Sequence, residues 1–130
     1  MSNPRLDQLE DREAIRDLLY RYCYLIAAAD TEAVIALFTP DCRVEVLGTL
    51  YEGPEGLREL YAGSLAVSPR PYVHNHLIDS LGDDEATARC VLEIRQTRDG
   101  VSETGGGCYE DTYRKCDGSW KFHTRTFRTY

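Results

Sequence analysis

The sequence predicts an α+β fold, with helices in its N-terminal half and long antiparallel strands in its C-terminal half. From Leu9 to about Ala29, apolar residues recur every three or four positions, as on one face of a helix. From Tyr72 onward they recur at every second position, as in strands with one buried face. Because helices precede a meander of strands, we expect a strongly curved sheet that wraps the first helix and leaves a cone-shaped cavity.

Two of the predicted helices lie before residue 40. The apolar stripe of the first consists of Ile15, Leu18, Leu19, Tyr22, Ile26 and Ala29. Asp30 is then a good N-cap for a second helix over residues 31–38. Pro40 and Asp41 are expected to end that helix, because proline cannot continue it.

A strand and a third helix follow. Residues 43–51 alternate well enough for a strand, and Gly48 predicts a bend in it. The turn at residues 53–56 begins a short helix that continues to about Ala66. Two prolines within residues 68–71 end it.

The C-terminal half is expected to form the meander. Its strands are predicted at residues 72–81, 86–96, 108–115 and 120–129. Asp99-Gly100 and Asp117-Gly118 are typical hairpin turns. The three glycines at 105–107 indicate a strand bend or close packing rather than a phosphate-binding loop, because they do not open a helix.

Composition narrows the class of protein. The 130 residues suit one domain over 1–130, and a net charge of −7 disfavours nucleic-acid and membrane-surface partners. The N-terminus has no signal-peptide pattern and no apolar run approaches a spanning length, so we expect a soluble, cytoplasmic protein. Five cysteines without a C-x-x-C pair favour buried reduced thiols over disulfides or a zinc site. Nine tyrosines suit an apolar cavity that also offers hydroxyl groups.

Four local strings carry a family resemblance. They are residues 13–18 with Tyr22, residues 36–41, residues 51–56, and residues 106–113 with 117–122. In this order they resemble the SnoaL-like branch of the nuclear transport factor 2-like superfamily, which includes scytalone dehydratases, ketosteroid isomerases, hexachlorocyclohexane dehydrochlorinases, bile-acid dehydratases and polyketide cyclases. The resemblance implies a cone-shaped α+β barrel, with three N-terminal helices packed in a curved antiparallel or mixed sheet. It also implies a hydrophobic small-molecule ligand, no cofactor, and a homodimer or trimer formed through the outer sheet face.

The resemblance also implies a catalytic pair that this sequence lacks. Dehydratase-type members use a carboxylate late in the first helix and a histidine early in the strand after the third helix. These positions fall on Ala27 and Pro71, and neither side chain can move a proton. Two pocket positions of the family are retained, Tyr22 and Arg125.

Neighbouring residues are candidates to replace the missing pair. Asp30 lies about one helical turn beyond Ala27, although a helix N-cap is its other reading. His74 lies three residues beyond Pro71, so it faces the opposite side of a regular strand unless a bulge turns it inward. A surface or interface histidine is the alternative.

Strand parity supplies a second candidate base. Tyr109, Asp111 and Tyr113 share the face expected to close the cavity. An aspartate among aromatic rings has a raised pKa if it is poorly solvated, although a surface position is the alternative. Arg125 either pairs with such an acid or anchors an anionic or enolate oxygen. Tyr22 is either a core residue or an oxyanion donor.

A metal site is a weaker hypothesis. His74 and His76 lie on one strand face, and Asp79 or His123 would complete a set of ligands. Their spacing matches no cupin-type pattern, so solvent-facing or interface histidines are the preferred interpretation and no metal ligand is assigned.

These observations lead to two functional hypotheses. The first is a cofactor-independent acid–base enzyme, a dehydratase, isomerase or cyclase, acting on a hydrophobic ring compound. In it His74 or Asp111 removes a proton, Tyr22 and Arg125 stabilise the oxyanion, and Asp30 or Asn75 assists orientation. Further binding residues are expected to be Tyr109, Phe38 and Leu92. The rival is a non-catalytic ligand-binding or subunit-type domain, and a domain active only beside another protein is a third possibility.

Overall fold

The computed structural model describes residues 3–130, and three helices precede most of the sheet. The helices are α1 (Pro4–Ala27), α2 (Thr31–Ile35) and α3 (Gly53–Ser64), the last followed by a 3-10 turn at Leu65–Val67. The strands are β1 (Phe38–Val46), β2 (Thr49–Glu52), β3 (Arg70–Leu81), β4 (Glu85–Arg98), β5 (Val101–Cys116) and β6 (Ser119–Thr129). None of the helices within residues 3–130 combines the length and apolarity needed to span a bilayer.

All six strands form one mixed sheet in the order β2-β1-β6-β5-β4-β3. The β1–β6 pair is parallel, and the other pairs are antiparallel. Helix α1 packs against both the edge strand β3 and the more central β6, so the sheet curls around it. The α+β prediction is confirmed, and the sheet is an open curl whose edges, β2 and β3, do not meet.

Helix α1 begins five residues earlier than its apolar stripe predicted. The Asn3 side-chain oxygen accepts hydrogen bonds from the backbone N–H groups of Arg5 (3.1 Å) and Leu6 (3.4 Å). Pro4 is the first helical residue, a position that needs no N–H donor. The first turns are polar and exposed, so periodicity alone could not detect them.

The second helix is shorter than predicted, and the prediction that it reaches Phe38 was wrong. It ends at Ile35, and Phe38 begins β1. The backbone oxygen of Leu37 accepts a hydrogen bond from the N–H of Phe122 in β6 at 2.9 Å, so sheet pairing takes the chain out of the helix. Pro40 lies in the irregular part of β1, where the register with β6 shifts, and does not end a helix.

The single strand predicted over residues 43–51 is in fact the end of β1, a turn and most of β2. Leu47 and Gly48 both have positive φ angles, 50° and 87°, and join the two strands in a two-residue turn. The hairpin turns predicted at Asp99-Gly100 and Asp117-Gly118 are present, with positive φ at all four residues.

Strand β5 extends well before the predicted residue 108 and contains all three glycines. A Cβ atom on Gly107 would overlap the backbone oxygen of Arg128 in β6 and lie 2.9 Å from Cε1 of Phe127. A Cβ on Gly105 would meet no atom within 4 Å. Close packing therefore requires glycine at 107 but not at 105.

This contrast predicts a difference in stability. Gly107→Ala should lower the free energy of unfolding by about 1–3 kcal/mol, because β5 and β6 must separate to admit the methyl group. Gly105→Ala should leave it unchanged or raise it by about 0.5–1 kcal/mol, since alanine is less flexible than glycine in the unfolded chain. Urea denaturation of both variants checks this, and equal effects would contradict it.

Candidate functional site

An ion pair lies at the centre of the curled sheet. Arg125 of β6 stands directly opposite Asp111 of β5, and both are almost fully buried, at 2% and 3% exposure. Arg125 donates from Nε to Oδ1 at 2.7 Å and from Nη2 to Oδ2 at 2.9 Å. The hydroxyl of Tyr113 also donates to Oδ2, at 3.3 Å. The carboxylate therefore accepts three hydrogen bonds and is held in one orientation.

Aromatic rings enclose the guanidinium group. Its Cζ atom lies 3.7 Å from the ring centre of Tyr109 and 4.4 Å from those of Tyr22 and Phe122. Burial is the largest single influence on the pKa of Arg125 and lowers it, but the charge and hydrogen bonds of Asp111, together with Tyr22 and Tyr109, outweigh burial. The pKa therefore lies well above its usual value. Arg125 is a permanent cation in an apolar site.

One donor of this cation is unused. Nε and Nη2 bind Asp111, whereas the buried Nη1 has no hydrogen-bond partner among residues 3–130. Arg125 forms part of the wall of a partly open cavity, which we call the chamber. A buried donor without a partner is rare in folded proteins and indicates a place for an acceptor.

The chamber has a volume of about 140 Å³ and lies between α1, α3 and the open end of the sheet. A cavity of roughly this size holds a single benzene-sized ring. Most of its wall is apolar: Ile26, Val44, Val46, Leu60, Pro69, Pro71, Ile94 and Phe127. The polar groups are the side chains of Tyr22, Tyr61, Ser64, Tyr109 and Arg125.

The chamber tyrosines act as donors. The Tyr61 hydroxyl donates to the Tyr22 hydroxyl at 3.2 Å. Burial raises the pKa of Tyr61 and of Tyr109 well above the usual value, so both phenols stay protonated. The sequence analysis missed Tyr61, although it lies four residues after the buried Leu57 on the inward face of α3.

The predicted residues divide between the chamber and other places. Tyr22, Tyr109 and Arg125 line the chamber. Asp111 lies behind Arg125 and is absent from the wall, and Phe38 and Leu92 are buried in the core outside it.

Asp30 lies outside the chamber. It is exposed, and its Oδ1 atom accepts a hydrogen bond from the N–H of Ala33 at 3.2 Å, which caps α2. The structure thus shows the N-cap and gives no contact with the chamber.

His74 and Asn75 are exposed on β3, contrary to the possibility that a bulge turns His74 inward. A bulge does exist, but it lies one step later, at Asn75, whose φ is 50°. It turns His76 inward instead. Neither nitrogen of the His76 ring has a partner in the described part of the chain, and this histidine does not line the chamber.

The other histidine and the thiols give no metal centre. His123 Nδ1 lies 2.9 Å from Thr39 Oγ1. His123 belongs to β6, which is three positions away in the sheet from β3, the strand that carries His76. Residues 3–130 contain no group of three or more His, Cys, Asp or Glu side chains arranged to hold a metal ion. All five cysteines are free, and burial raises the pKa of Cys23 to about 11 and of Cys90 to about 12.

Comparison with known proteins gives consistent similarities. The model of the SnoaL-like domain matches residues 7–126. A structure of an aspartate-to-asparagine variant of a protein of unknown function from Mycobacterium tuberculosis is 28% identical, with a TM-score of 0.90, and the match covers 98% of this chain and 76% of that one. No curated protein matches significantly.

Two structures from Novosphingobium aromaticivorans are similar as well. One, provisionally named a scytalone dehydratase, is 26% identical with a TM-score of 0.87, and the match covers 95% of this chain and 86% of that one. The other, an NTF2-like protein with a cystatin-like fold, is 26% identical with a TM-score of 0.85, covering 97% and 86%.

The buried ion pair predicts non-additive effects on stability. Arg125→Met and Asp111→Leu should each lower the free energy of unfolding by about 3–5 kcal/mol, because each leaves an unpaired buried partner. The double variant should lose less than either single variant, since it buries no unpaired charge. Urea denaturation of the four proteins measures this cycle, and additive losses would show that the two residues do not stabilise each other.

The lowered pKa of His76 should make the stability of the protein depend on pH. Burial and nearby Arg16 lower its pKa from the ordinary 6.5, although Asp111 acts in the opposite sense. Below that pH the unfolded chain binds a proton that the folded protein resists, so the free energy of unfolding should fall as the pH drops.

Denaturation of His76→Leu between pH 5 and pH 7 should therefore show a shallower pH dependence than the parent chain. His74→Leu is the matched control, because that histidine is exposed. A slope unchanged in His76→Leu, or reduced equally in both variants, would contradict the prediction.

Proposed function

The chain belongs to the SnoaL-like domain family, and from that membership and the chamber we propose that it binds a small apolar ring compound through one acceptor oxygen at Arg125. The supporting observation is the unpartnered Nη1 of a buried arginine in the wall of a largely apolar cavity. An unsatisfied buried donor costs about 1–3 kcal/mol, which a ligand oxygen would recover.

The site is preorganised for this contact. Two hydrogen bonds to Asp111 and three surrounding rings fix the guanidinium before a ligand arrives. Little further ordering is needed on binding, which favours affinity. Arginine has donors but no acceptor, so the group that it takes is a carbonyl, hydroxyl or anionic oxygen.

The ring fits because of size and polarity. The chamber accommodates about one six-membered ring among aliphatic and aromatic side chains. The Tyr61–Tyr22 hydroxyl pair offers a second polar contact, for a ring that carries another oxygen.

A second candidate is the acid–base enzyme, a dehydratase, isomerase or cyclase. The same Nη1 atom and the protonated tyrosines would stabilise an enolate oxygen as its charge develops. However, the chamber wall formed by the described residues has no carboxylate or imidazole, and Asp111 is engaged by Arg125 and Tyr113. Binding is therefore the better-supported function, and catalysis requires a proton acceptor from the substrate or from another protein.

The proposal also covers the domain organisation and the oligomeric state. We propose that residues 1–130 act as one domain and that two or three copies associate through the outer sheet face.

Binding of 2-cyclohexen-1-one and of 3-methylenecyclohexene, which replaces the ketone oxygen with a CH₂ group, tests the proposal. By calorimetry the ketone should bind about tenfold more tightly, or better, because it alone accepts a hydrogen bond from the charged group. The double variant Asp111→Leu/Arg125→Met should lose this preference but still bind the hydrocarbon. Equal affinities in the unsubstituted chain would contradict a role for Arg125.

The same ketone separates the two candidates. In deuterium oxide, enzyme-dependent exchange of its acidic C–H protons above the buffer rate would support catalysis of enolisation. Saturable binding without exchange would support a binding protein.

A further inference from the structure

A second concave surface lies outside the chamber, between the exposed side of α1 and the start of the edge strand β3. It has a volume of about 420 Å³ and is lined by Tyr20, Cys23, Tyr24 and Ala27 of α1 and by residues 70–73 of β3. We call it the outer groove. All three of its tyrosines are exposed: Tyr20 at 48%, Tyr24 at 80% and Tyr72 at 42%. Such grouped exposed aromatic side chains are typical of binding surfaces.

Two arginines lie on the β3 side of the groove, and one exposed carboxylate, Glu93 of β4, stands opposite Tyr72. Arg70, in the groove wall, stands opposite Arg95 of β4, and neither has a carboxylate within 4.0 Å among residues 3–130. Arg95 instead lies 4.8 Å from the ring centre of Tyr72. Two adjacent unpaired cations beside aromatic rings, on a chain of net charge −7, are complementary to an aromatic anion.

The groove adjoins the chamber. Pro71 is part of both walls, and Ile26 of the chamber is followed by Ala27 of the groove. The small Ala27 and the rigid Pro71 leave space beside the chamber that a larger or charged side chain would fill.

We propose that the outer groove binds an anionic aryl group of the same ligand whose oxygen-bearing ring occupies the chamber. This inference rests on the proposed function of the chamber. It makes the ligand a two-part molecule: an apolar ring with an acceptor oxygen at Arg125, and a flat aryl group whose carboxylate or similar anion contacts Arg70.

The probe is 3-(4-carboxyphenyl)cyclohex-2-en-1-one, compared with its methyl ester and with 2-cyclohexen-1-one. In calorimetry the acid should bind about tenfold more tightly than either compound, because only the acid adds an ionised carboxylate that pairs with Arg70. It should also displace 2-cyclohexen-1-one.

Two variants isolate the groove. Arg70→Gln should abolish the preference for the acid over the ester and leave the affinity for 2-cyclohexen-1-one unchanged. Arg43→Gln removes the same charge from an exposed position of β1, outside both cavities, and should leave the preference intact. Ala27→Trp should weaken the binding of the acid and of the ester and leave the affinity for 2-cyclohexen-1-one unchanged.

The outcomes separate the two proposals. If the ketone binds but the acid gains nothing, or if Arg70→Gln and Arg43→Gln have equal effects, the groove proposal is overturned and the chamber proposal stands. If the acid binds without displacing the ketone, the groove is not an extension of the chamber and the two-part ligand is wrong. If neither compound binds, both proposals fail.

Discussion

The pairing of Arg125 with Asp111 is the interaction on which the interior of this protein depends. Either charge alone in the curled sheet would be costly, because an apolar surrounding cannot replace water. Direct register between β5 and β6 brings the two side chains together, and aromatic rings fill the remaining space around the cation. The pair therefore allows a permanent positive charge to sit at the wall of a cavity that is otherwise mostly hydrocarbon.

The same pairing also decides the chemistry of the cavity. Asp111 faces Arg125 and accepts a further bond from Tyr113, so the buried carboxylate stabilises its neighbour and is kept out of the chamber. The polar side chains that line the chamber are donors: Arg125, whose Nη1 has no partner among residues 3–130, and protonated phenols. Such a surface stabilises an oxygen acceptor, which is what the proposed binding function requires.

Much of the fold follows from the sequence, and the family resemblance is confirmed. Parity placed Tyr109, Asp111 and Tyr113 on the inner face, and turn residues located the C-terminal hairpins. The errors arose where distant pairing overrides local pattern. The bond from Phe122 to Leu37 shortens α2, and the bulge at Asn75 selects His76 over His74 as the inward histidine. No local signal gives the position of such a bulge, so the sequence could not show which of the two histidines faces inward.

The positions where the resemblance places a catalytic pair also explain how this chain differs from the dehydratase-type members. A carboxylate at position 27 and a histidine at position 71 would supply a base and would fill the space between α1 and β3. Here Ala27 and Pro71 supply neither proton acceptor nor bulk, and both line the outer groove. The two positions that lack proton acceptors are therefore also part of the groove wall. The space that these two residues leave beside the chamber is where the proposed two-part ligand would place its aryl group, and this placement does not depend on Arg125.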